Sequence, residues 1–138
     1  MKLLIDNNII IDVFQDRKPF SEYSTKILEL IELGDYEGYI TANSVTDIFY
    51  VLKRSIKDYK KVYDYIRLLL EILTIIDVNS DDIFQALVAE NNDFEDELIA
   101  VCAYKENVDF IISRNSKDFK KSKIKAVEPK DFLENQFK

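Results

Sequence analysis

The 138-residue sequence contains no histidine and no tryptophan, and only one cysteine, two glycines and two prolines. Histidine is the commonest general base and metal ligand at neutral pH, and its absence, with a single cysteine, excludes a structural zinc site. One cysteine cannot form an intramolecular disulfide, and because Cys102 lies in the apolar run 98–103 we expect a packed thiol rather than a nucleophile. No glycine-rich phosphate-binding loop is present. We therefore expect any chemistry here to rest on carboxylates.

Long apolar runs are also missing, because none approaches the roughly 20 residues that span a bilayer. The N-terminal segment 1–6 turns acidic after three apolar residues, which is too early for a signal peptide. The sequence thus predicts a cytoplasmic protein with no membrane partner. Its length suits one domain over residues 1–138. A net charge of −7 argues against coating nucleic acid by charge alone, but it is compatible with an acidic pocket that holds a metal ion.

Strand-like apolar runs alternate with amphipathic helical segments along the chain. Such alternation favours a parallel sheet with right-handed crossovers. The fold class we predict is a single doubly wound α/β domain, with a parallel sheet of about five strands and helices on both faces. The predicted strands are 3–5, 36–41, 74–78, 108–113 and 124–127. Four helices are predicted with both ends, namely 9–14, 21–33 with Ser21 as N-cap, 62–73 and 94–104. Three more are predicted by their start, one from Asn43 or Ser44, one capped by Ser80 or Asp81, and one from Pro129.

Acidic and amide side chains stand where these apolar runs stop. The carboxyl ends of parallel strands meet at one edge of a sheet, so such side chains should lie close together. Carboxylates that are close together repel one another unless a cation neutralises them, and an all-oxygen site suits Mg²⁺ or Mn²⁺. Taken singly, each acid could instead cap a helix or complement its dipole. The members are Asp6, Asp47, Asp93, Asp96, Asn115 and Asp118.

Other charged residues are weaker candidates. Asp12 lies six residues after Asp6 and at that spacing does not share its side of the helix, while Glu95 and Glu97 are expected to point elsewhere. Basic residues fall in two groups, 53–61 and 114–125. We interpret the first group as a solvated face, whereas the second begins inside an acidic motif and is a candidate for substrate contacts.

Four segments resemble the PIN domain: 4–14, 43–52, 93–103 and 110–119, in the family's order and over the whole chain. Segment 127–133 is similar to the close of many bacterial members. The resemblance implies a metal-dependent ribonuclease, often the toxin of a toxin–antitoxin pair. RNA, a cognate antitoxin protein and a second copy of the chain in a homodimer are the implied partners.

The resemblance also implies roles for individual residues. One or two Mg²⁺ or Mn²⁺ ions would activate water to attack the phosphodiester, leaving a 5′-phosphate and a 3′-hydroxyl. The implied catalytic residues are Asp6, Asp47, Asp96 and Asp118. The implied metal ligands are Asp6, Asp96, Asp47, Asp93 and Asn115, and the candidate substrate contacts are Asn8, Ser113 and Arg114.

Two positions depart from the family pattern, and two other functions stay open. Asn7 stands where Thr or Ser is usual, and Asp47 stands where Glu is usual, with a reach about 1.5 Å shorter. A catalytically weakened PIN-like scaffold that binds RNA or protein is therefore one alternative. The other is a phosphatase that uses Asp6 as nucleophile, which is disfavoured because Asn8 stands where haloacid-dehalogenase-type enzymes have a second Asp.

Overall fold

A computed structural model describes residues 1–135, in which five strands alternate with seven α-helices. The strands are β1 Lys2–Ile5, β2 Glu37–Thr41, β3 Thr74–Ile76, β4 Phe110–Ile112 and β5 Ala126–Val127. The helices are α1 Asn7–Phe14, α2 Phe20–Glu32, α3 Ala42–Ser55, α4 Tyr59–Ile72, α5 Ser80–Ala89, α6 Phe94–Lys105 and α7 Pro129–Asn135. A short 3₁₀ helix, Ser116–Phe119, follows β4.

The sheet is parallel throughout and has the strand order β3-β2-β1-β4-β5. The chain builds outward from β1 to β2 and β3, and then crosses to the other side of β1 to add β4 and β5. The order therefore reverses between β1 and β4, where Ile5 is paired with Ile112. In open parallel sheets, ligands bind outside the carboxyl ends of the strands at such a reversal. The predicted doubly wound fold is confirmed, and its binding crevice lies beyond Ile5 and Ile112.

Helices cover both faces of the sheet because successive side chains of a strand point to opposite faces. Leu3 and Ile5 belong to a core cluster with α1 to α4, whereas Leu4 packs in a second cluster with α5 and α6. Cys102 is fully buried in the second cluster. Burial raises the pKa of its thiol to about 11, so the expectation of a packed, unreactive cysteine is confirmed.

Two predicted helix caps are wrong. Helix α2 begins at Phe20 and places Ser21 inside its first turn, where the buried hydroxyl donates to Asp16 Oδ1 at 2.8 Å. The cap of α5 is Asn79, whose Oδ1 accepts the Asp82 N–H at 3.1 Å while Asp82 Oδ2 accepts the Asn79 N–H at 3.0 Å. This reciprocal pair satisfies two backbone donors at once.

Among residues 1–135, no helix has the length and apolar character needed to cross a bilayer.

Candidate metal centre and active site

Asp6 lies at the junction of β1 and α1, at the edge of the sheet. Its backbone N–H donates to the Ile112 carbonyl at 3.0 Å, so the residue continues the pairing of β1 with β4. Its carboxylate caps α1 by accepting the Asn7 N–H at 2.8 Å. Because the strand passes directly into the helix, the side chain is held at the strand reversal and is only 4% exposed.

Hydrogen bonds from Ser113, which follows β4, and from Asn8 on α1 fix the orientation of the Asp6 carboxylate. Ser113 Oγ donates to Asp6 Oδ2 at 2.7 Å, and Asn8 Nδ2 lies 3.3 Å from the same oxygen. The Ser113 hydroxyl in turn accepts the Asn115 N–H at 3.0 Å, and Asn8 Oδ1 accepts the Arg114 N–H at 3.3 Å. Asn8 and Ser113 therefore position Asp6, and their contact with substrate stays a prediction.

Asp6, Asp93, Asp96 and Asp118 form a group of mutually repelling carboxylates, which we call the acidic cluster. Burial, followed by the charges of Asp93, Asp6 and Asp118, raises the pKa of Asp96 to about 7. Burial also raises the pKa of Asp6, against the lowering effect of the bonds from Ser113 and Asn7. The charges of Asp93 and Asp118 add to the increase at Asp6. The fold thus brings together the acid that follows β1, two acids at the start of α6 and one acid of the 3₁₀ helix.

Backbone caps place the other members of the cluster. Asp93 is the N-cap of α6, and its Oδ1 accepts the Asp96 N–H at 3.1 Å. Asn115 immediately precedes the 3₁₀ helix, and its carbonyl accepts the Asp118 N–H at 3.0 Å. Asp93 thus caps α6 and also belongs to the acidic cluster, so a capping role does not exclude a role in the candidate site.

Glu95 lies between Asp47 and the acidic cluster and interacts with both. The expectation that Glu95 points elsewhere is therefore wrong. Its pKa is raised first by partial burial, then by the charge of Asp47 and a hydrogen bond between the two side chains. The charges of Asp93 and Asp6 raise it further. Glu97 does point elsewhere, since its Oε2 lies 3.3 Å from Asn91 Nδ2. All four residues at 93 and 95–97 are acidic, so the sequence held no signal for which of them faces α3.

Asp12 and the Arg114 side chain lie together outside the acidic cluster. Asp12 is fully buried on α1, with Arg114 Nε 2.8 Å from its Oδ2 and Arg17 Nε 4.0 Å from its Oδ1. The Arg114 guanidinium also lies over the Phe20 ring, 4.8 Å from its centroid. The Arg114 backbone thus bonds to Asn8, which orients Asp6, while its side chain pairs with Asp12. A contact between Arg114 and substrate remains a prediction.

The donor set fits a hard divalent cation. Within residues 1–135, no three acidic side chains already enclose one point as a finished set of ligands. The chemistry nevertheless suits such an ion, because the principal influences that raise the pKa values of Asp6, Glu95 and Asp96 are burial and other carboxylates. Oxygen donors with uncompensated negative charge are those that Mg²⁺ and Mn²⁺ prefer.

Comparison with known proteins agrees with this geometry. The model of the PIN domain matches residues 2–117, so the chain belongs to the PIN domain family, as the sequence motifs predicted. It is 28% identical over 138 residues to "Ribonuclease VapC1" of Aquifex aeolicus (strain VF5), covering 96% of this chain and 94% of that protein.

Solved structures share the fold. VapBC-1 from nontypeable Haemophilus influenzae matches with a TM-score of 0.72 at 18% identity, over 94% of this chain and 99% of that one. VapBC2 from Rickettsia felis, bound to a DNA fragment from its promoter, matches with a TM-score of 0.71 at 20% identity, over 93% and 98%.

Proposed function

We propose that this chain is a Mg²⁺- or Mn²⁺-dependent endoribonuclease and the toxin of a toxin–antitoxin pair, acting in the cytoplasm. The acidic cluster at the strand reversal carries the proposal, because it gathers hard oxygen donors without a lysine or arginine among the principal influences on Asp6 and Asp96. The relative named as a ribonuclease supports the activity. The toxin role is supported by neighbours such as the Klebsiella pneumoniae toxin–antitoxin complex, which shares the fold with a TM-score of 0.67.

Each residue of the site has a part in this reaction. Asp6 and Asp96 are the principal ligands, with Asp93, Asp118 and Asn115 beside them at the same edge. Ser113 and Asn8 hold the Asp6 carboxylate in place. A divalent ion held by Asp6 and Asp96 would supply Lewis-acid chemistry, polarising the scissile phosphate and lowering the pKa of a water, so that no histidine base would be needed.

Asp47 and Glu95 form the outer part of the site. Asp47 is shorter than the Glu usual at this position, and the Glu95 carboxylate beside it supplies a longer side chain. We propose that Asp47 and Glu95 together replace that single Glu, and that they hold water or metal at the α3 side of the acidic cluster.

The decisive experiment is cleavage of a single-stranded RNA by the purified protein with Mn²⁺ and with EDTA. We expect cleavage only with the metal, and its loss in Asp6→Asn. The matched control is Asp64→Asn, because Asp64 is an exposed acid on α4 paired with Arg67. Metal-independent cleavage, or equal activity in both variants, would contradict the proposal. RNA binding without cleavage at any Mn²⁺ concentration would favour the weakened scaffold instead.

An open groove beside the cluster offers a path for the RNA backbone. It has a volume of about 330 Å³ and is lined by Asn91, Asn92, Asp93, Lys117, Asp118, Lys120 and Lys121. In a chain of net charge −7, these lysines concentrate positive charge next to the catalytic acids. We propose that they bind the phosphates on either side of the cleavage point.

Two triple variants test this path at equal change in net charge. Lys117, Lys120 and Lys121 changed to Gln should raise KM about tenfold and weaken the salt dependence of binding, since three phosphate contacts are lost. The control changes Lys57, Lys60 and Lys61 to Gln, in the other basic group. Equal effects of the two triples would mean that only net charge matters, and the groove would not be the RNA path.

A cognate antitoxin is the protein partner we propose. Exposed aromatic side chains on α3 and α4 supply a surface for it, namely Tyr50, Tyr59 and Tyr63, whose rings are linked by contacts that include Phe49. Coexpression with the small protein encoded beside this gene should yield a complex that the Tyr63→Glu variant weakens. A complex unaffected by that change would place the antitoxin elsewhere.

A homodimer is the oligomer we propose, through the exposed apolar face formed by Phe84, Leu87 and Val88 on α5. Light scattering should give a dimer mass for the wild type and a monomer mass for Val88→Glu. Leu33→Glu is the control, because Leu33 is 75% exposed at the end of α2. A monomeric wild type would contradict this assignment.

A further inference from the structure

The turn that follows β4 is attached to helix α1 at two points, both through Arg114. The backbone N–H of Arg114 donates to Asn8 Oδ1 at 3.3 Å, and its side-chain Nε lies 2.8 Å from Asp12 Oδ2. Asn8 and Asp12 are four residues apart on α1, so they lie on the same side of the helix. One residue of the turn is therefore held by two successive turns of one helix.

The first point of attachment belongs to the network that orients Asp6, and its hydrogen bonds are long. Asn8 Nδ2 lies 3.3 Å from Asp6 Oδ2 and 3.4 Å from Ser113 Oγ. These two contacts, like the 3.3 Å bond from the Arg114 N–H, exceed the usual range of about 2.7–3.2 Å for N–H···O bonds. Because such bonds are weak one by one, the place of the Asn8 amide depends on how firmly the turn after β4 is held.

The second point of attachment is a buried ion pair. The Asp12 carboxylate is fully buried, and the Arg114 guanidinium, 28% exposed, also lies over the Phe20 ring at 4.8 Å from its centroid. Within residues 1–135, Arg114 Nε and the Asp12 oxygens make no aligned hydrogen bond, so the attraction is one of charge. Buried charges are little screened by salt, and loss of one partner costs more than at an exposed pair. The ion pair is therefore the firmer of the two attachments.

We propose that Asp12 and Arg114 are positioning residues for the metal ligand Asp6. Their ion pair holds the turn after β4 against α1, which keeps Asn8 and Ser113 in place around the Asp6 carboxylate. This inference rests on the proposed metal-dependent function, because it concerns how Asp6 is presented to the ion. Without the pair, Asn8 and the turn lose their fixed places, and Asp6 should bind the ion more weakly.

The first experiment measures the Kd of Mn²⁺ by titration calorimetry on the protein without RNA. Asp12→Ala and Arg114→Met should each raise this Kd about tenfold, the lower end of the range for residues that orient metal ligands. Arg114→Lys keeps a positive charge beside Asp12 and should stay closer to the wild type. Binding should be weakened rather than lost, because Asp6 itself remains. An unchanged Kd in Asp12→Ala and Arg114→Met would overturn the inference.

Arg17→Met is the matched control. Arg17 Nε also faces the Asp12 carboxylate, but at 4.0 Å and from a side chain that is 52% exposed, and it donates to Gln15 Oε1 at 2.7 Å. This variant removes one positive charge near the same carboxylate and leaves the ion pair with Arg114 in place. Its Kd for Mn²⁺ should match the wild type. An increase equal to that of Arg114→Met would mean that only charge near Asp12 matters, and the inference would be wrong.

The double variant Asp12→Ala with Arg114→Met separates positioning from stability. It removes both buried charges, so it should unfold at a higher denaturant concentration than Asp12→Ala alone. The Kd for Mn²⁺ should nevertheless stay raised about tenfold, because the turn is still detached from α1. A double variant that recovers both stability and Kd would show that the pair only stabilises the fold. The double variant and Arg114→Lys also decide the matter if Asp12→Ala does not fold.

Steady-state RNA cleavage at saturating Mn²⁺ completes the test. Positioning predicts a KM for RNA close to that of the wild type once the metal site is filled. A raised KM with an unchanged Kd for Mn²⁺ would place Arg114 on the RNA and overturn the inference. A wild type that binds Mn²⁺ without cleaving RNA contradicts the proposed function alone, since the comparison of Kd values still stands. A wild type that binds no Mn²⁺ overturns both.

Discussion

Carboxylates occupy two neighbouring places in this fold, and the surrounding protein treats them in opposite ways. In the acidic cluster, Asp6 and Asp96 face further acids, and their pKa values rise because burial and like charges disfavour the ionised form. On α1, the fully buried Asp12 carboxylate instead has Arg114 Nε within 2.8 Å and Arg17 Nε at 4.0 Å.

The fold thus pairs Asp12 with basic side chains, whereas burial and neighbouring acids are the principal influences that raise the pKa values of Asp6 and Asp96. Burial of a charge is costly unless it is paired, and of these two places the fold supplies a basic partner at Asp12. Burial of like charges at Asp6 and Asp96 disfavours their ionised forms, and the metal ion of the proposed mechanism would offset that cost on binding.

The largest effect should come from removing a ligand of the acidic cluster. Asp6→Asn or Asp96→Asn should lower RNA cleavage about a hundredfold or more. In the wild type, Mn²⁺ at a hundredfold excess over Kd should stabilise the fold by about 2.7 kcal/mol, a rise in Tm of about 5–10 °C. Scanning calorimetry should show this rise in the wild type and in Asp12→Asn but not in Asp6→Asn. An equal rise in all three would break the comparison.

Removing the neutralised acid should instead cost stability. Asp12→Ala leaves Arg114 without its partner and should lower the free energy of unfolding by about 2–4 kcal/mol, less than for a fully buried pair because Arg114 is partly exposed. Chemical denaturation measures this free energy of unfolding. The double variant Asp12→Ala with Arg114→Met should recover part of the lost stability. Asp64→Ala, in the exposed pair with Arg67, is the control and should change stability by about 0.5 kcal/mol or less. Equal losses at Asp12 and Asp64 would show that burial of the pair has no effect.

The pH dependence should sharpen the contrast. The folded protein keeps a proton on Asp96 up to a pKa of about 7, whereas the unfolded chain releases it near 3.8. The folded state thus binds more protons in this window, so in EDTA its stability falls as pH rises from about 4 to 7. Asp96→Asn should flatten this slope and melt higher than the wild type at pH 8, whereas Asp64→Asn should follow the wild type. If Asp96→Asn melts lower at pH 8, Asp96 is a structural acid.

The smallest effects should appear at the outer pair. Asp47→Glu should preserve or raise cleavage at limiting Mn²⁺, while Asp47→Ala and Glu95→Gln should each raise the metal concentration needed for half-maximal cleavage. The reason is that losing an outer ligand weakens metal affinity while Asp6 and Asp96 still hold the ion. Glu97→Gln is the matched control, because Glu97 faces Asn91. The measurement is RNA cleavage as a function of Mn²⁺ concentration. An unchanged curve for Asp47→Ala would show that Asp47 is not part of the site.

Most of the fold could be predicted, because its signals are local. Alternation of strands and helices identified the doubly wound sheet, and each predicted element between Leu3 and Pro129 has a counterpart. Errors fell at element ends, where Pro19 rather than Ser21 precedes the first residue of α2 and Asn79 caps α5. Several polar residues near a helix start can each cap it, and only the path of the preceding chain selects one.

The sequence by itself determined the chemistry available to this protein: no histidine, one buried cysteine, and acids placed where parallel strands end. The motifs also assigned it to the PIN domain family. The tertiary structure alone decided which acids meet, since Glu95 reaches Asp47 while Glu97 does not, and which acid is neutralised from within. It placed Arg114 on Asp12, a partner 102 positions earlier in the chain. Such pairings depend on how the helices pack across the sheet, which no local pattern along the chain encodes.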